Sequence, residues 1–495
     1  MSTASTTYRV GTLEYTKRAL VVLFIWLLWG DFCFTLMETV EPSVLPFMLK
    51  SLGASNLIIS TYINTIANAF NLTVCPVVSF MSDRYRSRFG RRIPYLIFST
   101  PFVGLFLVLT GFSRQIGRFF FTHFFHHSVS SEVALTIGLI AVLVAGYQFF
   151  NMIVGSVYYY LFNDVVPQEH LGRFMALFRA VGTAAGAFFS FFIFQYARSH
   201  STQIFVGFGI LYFVGFLAMC LNVKEGEYPP APKMEKSRNS TFAGIKTFFK
   251  ESYCHKFYWY FYLSNAFWMA SLAVNTFVVF RNLDIGLTMK EMGIIGGVAG
   301  VVATLLLIPA GYYVDKKHPI RVGMTAMAWT LIFVPLNAIF FLHMRHHMVL
   351  TLTIIITAIT LPVSVVLTAS ELPLFMRLLP HTRYGQFSSA NAVLRSFVMM
   401  IVGFLCGYYM DWLKFFSGHH LHLGGDYYYR FFFIWILVFG GLSFFFRVKL
   451  YKLWLKLGGD DSFLPPRFEE DELALRHTHA VNQETDTALE SENAQ

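Results

Sequence analysis

The chain has 495 residues, of which 55% are hydrophobic and only 13% charged. That is too little polar surface to coat soluble domains of this size, so the chain belongs in lipid. Its formal charge of +10 does not indicate nucleic acid, because most basic residues flank apolar runs and serve there as topological anchors.

A polar N-terminal tail (residues 1–17) leads into an apolar segment too long for a signal-peptide core, with no small-residue cleavage pattern after it. A crossing needs about 20 mostly apolar residues. That ruler predicts six spans over Arg18–Leu49, Asn56–Met81, Ile93–Phe112, Glu132–Phe162, Arg173–Tyr196 and Gln203–Val223. A polar linker, 224–256, follows. Six more spans are expected over Phe257–Phe280, Glu291–Val314, Val322–Met344, Met348–Arg377, Gln386–Met410 and Tyr429–Phe446, then a tail from 447 to 495. The expected fold is an all-α integral membrane protein with twelve transmembrane helices in two pseudo-symmetric six-helix bundles, 18–223 and 257–446. Lys and Arg are concentrated in the N-terminal tail, the loop after the second span, the linker and the C-terminal tail. Both termini are therefore expected in the cytoplasm, with the protein multi-pass in the cell membrane and monomeric. The acidic, polar end after Leu464 is expected to be disordered. Cys33, Cys75, Cys220, Cys254 and Cys406 lack CxxC spacing, so neither a disulfide framework nor a zinc site is expected. The histidines near His123 and His419 are read as solvated outer-loop residues.

The halves repeat each other. After the fourth span comes "LFNDVVPQEHLGRF" and after the tenth "LFMRLLPHTRYGQF", so that Leu161, Phe162, Pro167, Gly172 and Phe174 recur as Leu374, Phe375, Pro380, Gly385 and Phe387. A looser echo links "SDRYRSRFGRR" after the second span to "VDKKHPIR" after the eighth. Twelve spans, a long middle loop and this basic loop with its degenerate copy resemble the major facilitator superfamily. More narrowly, S-D-R-x-R-S-R-F-G-R-R-x-P-Y with "YGQFSSANAVLRS" resembles the glycoside, pentoside and hexuronide:cation symporters and the sucrose transporters. The resemblance implies transport by alternating access. It does not carry over a sodium site, since the second span offers Asn64, Asn68 and Asn71 where the melibiose-type members have paired aspartates. Duplicated halves place a site at the midplane between them.

Asp83 ends the second span, where a carboxylate opposes the helix dipole and needs a cationic partner. Arg84, Arg88, Arg91 and Arg92 are candidates. With Gly90, Asp164, Asp315 and Glu371 they make up an expected cytoplasmic gate that latches the two halves, Arg377 and Arg383 extending it; the alternative is a loop that only anchors and binds anionic lipid.

Ionisable groups inside spans cost at least about 2.5 to 3.5 kcal/mol at mid-bilayer. Asp31 lies about 20 Å from Arg18 along its helix, too far to reach the interface. Glu38 is seven residues on, nearly on the same face, with Glu41 beyond it. An interior acid suits a proton carrier. Arg179 and Arg395 are its counter-charges; either Asp31 engages Arg179, directly or through substrate, or each arginine pairs with its own half's acid, Asp164 or Glu371. Tyr147, Gln148, Asn151, Asn265, Trp268 and Asn391 combine amides with aromatic faces and are the candidates for a sugar. GxxxG spacings at Gly182/Gly186, Gly293/Gly297, Gly296/Gly300 and Gly403/Gly407 read as helix packing.

No nucleotide loop or catalytic constellation appears, so an enzyme is not expected and no cofactor is implied beyond a coupling proton. The expectation is proton-coupled symport of a sugar or glycoside. The alternatives are an exporter or uniporter of another small organic solute, and a non-transporting nutrient sensor.

Overall fold

The computed structural model describes residues 8–125, 131–228 and 246–467. The N-terminal residues before Tyr8, the middle of the linker (229–245) and the acidic tail from residue 468 lie outside the described residues.

Twelve helices are long and apolar enough to cross a membrane: Lys17–Ser51, Asn56–Arg84, Ile93–Gly111, Glu132–Val165, Gln168–Tyr196, Ser201–Asn222, Lys256–Asp284, Met289–Lys316, Pro319–Phe341, His346–Leu378, Tyr384–His419 and Tyr427–Lys456. They are numbered below as the first to the twelfth span. Hydropathy marks the apolar part of each, whereas capping sets the ends. The Thr16 hydroxyl accepts from Ala19 N–H at 3.3 Å. A capping box starts the eighth span, Glu291 N–H donating to Thr288 Oγ1 and Thr288 N–H to Glu291 Oε2. Several helices therefore outrun their apolar windows. The twelfth continues to Lys456, so Arg447, read from the sequence as part of the tail, lies inside a helix and is buried. Two elements were not expected: a hairpin pairing Tyr8–Val10 with Leu13–Tyr15, and a short helix, Ser113–Phe120. All five cysteines are free.

In the first half, the third span packs on the fourth and sixth, and the first span on the sixth. In the second half, the seventh packs on the eleventh and twelfth. The halves meet along two equivalent seams, the second span against the eleventh and the fifth against the eighth. Glycine makes these seams possible. A Cβ on Gly407 would stand 2.6 Å from Leu57 Cα, and one on Gly293 would stand 2.5 Å from the Ser190 carbonyl oxygen. Large apolar side chains such as Ile308, Leu305 and Ile25 cover the outer surface, as lipid contact requires.

Candidate functional site: a polar midplane between two faces

An even number of crossings brings both chain ends to one face. At the opposite face the halves are tied together. Asp411, on the eleventh span, accepts from the backbone N–H of Asn56 (3.0 Å) and Leu57 (2.9 Å) and from Asn56 Nδ2 (2.9 Å). It thus caps the second span from the other half, placing negative charge at a helix N-terminus. Lys50 Nζ lies 3.2 Å from Asp426 Oδ1 and donates to Tyr429 Oη at 2.9 Å, while Tyr429 Oη donates to Asn56 Oδ1 at 2.6 Å. Below this layer Ser60 Oγ donates to the Gly403 carbonyl (2.6 Å) and Asn64 Nδ2 to Thr276 Oγ1 (3.2 Å).

At the face bearing the termini, the basic loop behaves differently from the expected latch. Arg91 forks onto Asp164 with bonds of 2.9 and 2.5 Å. Arg92 bonds Asp83, Ser82 Oγ and, at 3.2 Å, Asp164. Glu225, which the sequence analysis did not single out, accepts from the N–H groups of Arg91, Arg92 and Ile93 at 3.0, 2.8 and 2.6 Å, capping the third span. Gly90 adopts φ +100°, and a Cβ there would stand 2.5 Å from the Glu225 side chain; both facts require glycine. The Asp164 carboxylate also holds the Arg91 guanidinium above its ordinary pKa. Apart from Glu225, at the start of the linker, these partners belong to the first half, so this network braces one bundle instead of bridging two. Arg88 stacks over Phe89, and Arg84 also has a partner. Asp315 is exposed. Arg383 pairs with Glu251 at 2.8 Å, again away from the first bundle. Between the halves on this face lies a cavity of about 690 Å³, lined by Ser79, Ser156 and Tyr160 on one side and Ser389, Ala392 and Val393 on the other.

The intramembrane charges lie between these faces. Asp31 is 1% exposed; one oxygen accepts weakly from Thr35 Oγ1 at 3.4 Å and the other, Oδ2, has no partner. The Arg179 charge acts on Asp31 from the fifth span, and the exposed Tyr159, missed in the sequence, lies within reach of Asp31, Glu38 and Arg179. Glu38 and Arg179 are exposed. Neither Arg179 nor Arg395 forms an ion pair among the described residues. Asp164 is engaged by Arg91 and Arg92, so pairing of Arg179 with its own half's acid is not what the structure shows. Glu371 senses both Arg395 and Arg447 without a close contact to either. Buried beside Glu38 are Glu41, whose Oε2 accepts from Gln148 Nε2 at 2.6 Å, and Asn151, whose Nδ2 approaches Glu38 Oε1 at 3.5 Å. Tyr147 donates to Met37 Sδ.

In the second half, Arg447 donates to Ser264 Oγ and Asn265 Oδ1, each at 3.0 Å, and Asn265 Nδ2 approaches Asn391 Oδ1 at 3.4 Å. Trp268 departs from its expected role: it packs with Ala326, Met327 and Leu367 in a hydrophobic cluster, which is core packing and not a stacking platform. Arg447 stayed hidden because charge ends a hydropathy window even when the helix continues.

Two six-helix halves are thus tied at one face and parted by a cavity at the other, with charges between them that form no ion pair among the described residues. The Major Facilitator Superfamily profile matches residues 27–404. The fold resembles a bacterial homologue of the iron transporter ferroportin in its inward-facing state, with TM-score 0.61 and 13% identity over 87% of this chain and 99% of that one. It also resembles a bacterial homologue of the human lysosomal transporter Spinster, inward-facing and unoccupied (0.60, 11%, 88% and 99%), and a D-xylose-proton symporter (0.59, 12%, 88% and 98%). No curated protein matches the chain. The chain belongs to the Major Facilitator Superfamily, and it is a transporter, not an enzyme.

Proposed function

We propose that the protein is a secondary active transporter of the cell membrane that moves a sugar or glycoside together with a proton, with both termini in the cytoplasm. The observation that carries this reading is Asp31: a deeply buried carboxylate with an unpaired oxygen, near Arg179, which forms no ion pair among the described residues. A proton taken up there removes a charge from the first bundle and lowers the cost of burying the acid when the cavity closes. Substrate hydroxyls then bridge the amides of the two halves. Closure of the face bearing the termini and release of the Asp411 cap and the Lys50 pair complete the switch.

The sugar reading draws support from Gln148, Asn151, Asn265 and Asn391, from the resemblance of "SDRYRSRFGRRIPY" to the glycoside symporter group, and from the D-xylose-proton symporter among the similar folds. Counterflow of labelled mono- and disaccharides in proteoliposomes, with and without a pH gradient, tests it. Asp31→Asn should abolish proton-driven accumulation while leaving sugar exchange. An unchanged response to the gradient would remove Asp31 from coupling, and exchange confined to non-sugar solutes would overturn the substrate class.

A further inference from the structure

The amides at the midplane are oriented by their partners, and the orientations differ between the halves. Arginine has no acceptor, so Arg447 fixes Oδ1 of Asn265 toward itself. Asn265 Nδ2 then faces Asn391 Oδ1, which leaves Asn391 Nδ2 as a donor without a protein acceptor among the described residues. Arg395, one turn further along the eleventh span, is likewise uncommitted. The second half therefore offers donors. In the first half Gln148 donates Nε2 to Glu41 Oε2, and Asn151 turns Nδ2 toward Glu38 Oε1. Gln148 Oε1 and Asn151 Oδ1 are left buried without a partner, as are Glu41 Oε1 and Asp31 Oδ2. Each buried unpaired acceptor costs about 1–3 kcal/mol, so four on one wall are a standing demand for donors. At about 1.5 Å rise per residue, Asn151 and Asp31 lie roughly 20 Å from the face bearing the termini, and Asn265 and Arg395 roughly 15 Å, so the two sets lie at similar depth.

We propose that the two halves recognise opposite ends of the solute, the first half reading hydrogen-bond donors and the second half acceptors, so that the preferred substrate class is an amino sugar, held ammonium-first against the first half. The inference rests on the sugar reading above. A sugar acid brings a carboxylate, an acceptor that only the second half can meet.

The test is thermal stabilisation and binding of the purified full chain by D-glucosamine, D-glucose and D-glucuronate, which share a ring and differ in charge, and by the ringless pair ethanolamine and glycolate. Glucosamine should bind on the order of tenfold more tightly than glucose, because charge-assisted bonds are roughly twice as strong as neutral ones, and more tightly than glucuronate, which offers the first half no charged donor. Glucuronate binding as well as glucosamine overturns the proposal. If no pyranose binds but ethanolamine stabilises the protein and glycolate does not, the sugar reading falls and the polarity stands; no response to ethanolamine as well overturns both. Asn151→Asp should widen the glucosamine preference, and Asn391→Asp should weaken all three sugars. Should Asn151→Asp fail to fold, Gln148→Glu makes the same comparison, and an unchanged preference in either variant counts against the proposal.

Discussion

Two charged networks cap helices at opposite faces of this protein, and they do opposite jobs. The basic loop uses Arg91, Arg92, Asp83 and Asp164, all within one bundle, and Glu225 at the start of the linker that leaves it. At the other face Lys50, Asn56 and Leu57 of the first half meet Asp411, Asp426 and Tyr429 of the second. A network inside one rigid body stiffens it in every state. A network between two bodies must break whenever they part, and so biases the equilibrium between states. What identifies a gate is the ownership of the partners, not the density of charge.

The largest effect is expected from Asp411→Ala. It removes three hydrogen bonds to a carboxylate, and charged bonds of this kind are worth about 1.5–3 kcal/mol each. Loss of even one such bond's worth of closure moves the equilibrium between states on the order of tenfold to a hundredfold. Uptake in proteoliposomes should collapse while membrane insertion is retained; normal uptake would remove Asp411 from the gate.

Glycines make the comparison sharper. Gly407→Ala places a Cβ against the Leu57 backbone and should prevent the seam from closing, whereas a Cβ on Gly385 meets nothing within 4 Å. Cysteine accessibility at Glu38→Cys from the face bearing the termini should therefore fall in Gly407→Ala and stay unchanged in Gly385→Ala. Equal behaviour of the two variants would break the distinction between the faces.

The smallest effect on switching belongs to the brace. Asp164→Asn unpairs Arg91 and leaves the half-buried charge less satisfied, lowering thermal stability by about 1–3 kcal/mol. The ratio of the two states should hardly move. A large change in accessibility with little loss of stability would restore the basic loop as a latch between halves.

Much of the architecture was legible in the chain, because lipid imposes a length and a composition on every span and duplication leaves a repeat. The GxxxG spacings of the eighth and eleventh spans read as packing and lie on the seams. Long-range partners were not legible. Asp411 and Asn56 stand 355 residues apart, and nothing local marks either as half of a contact. Glu225 was hidden in a linker, and Arg447 behind the edge of an apolar window. Trp268 shows the opposite failure: an aromatic beside a polar residue looks like a ligand platform until its neighbours are known.

The most direct test measures spin-label distances across both faces, in a chain with its five cysteines replaced. One label pair, Gln115→Cys with Lys290→Cys, reports on the tied face; the other, Glu169→Cys with Lys317→Cys, reports on the face bearing the termini. Adding Asp411→Ala should lengthen the first distance and shorten the second. Two distances that stay fixed, or that lengthen together, would contradict halves that rock about a midplane site.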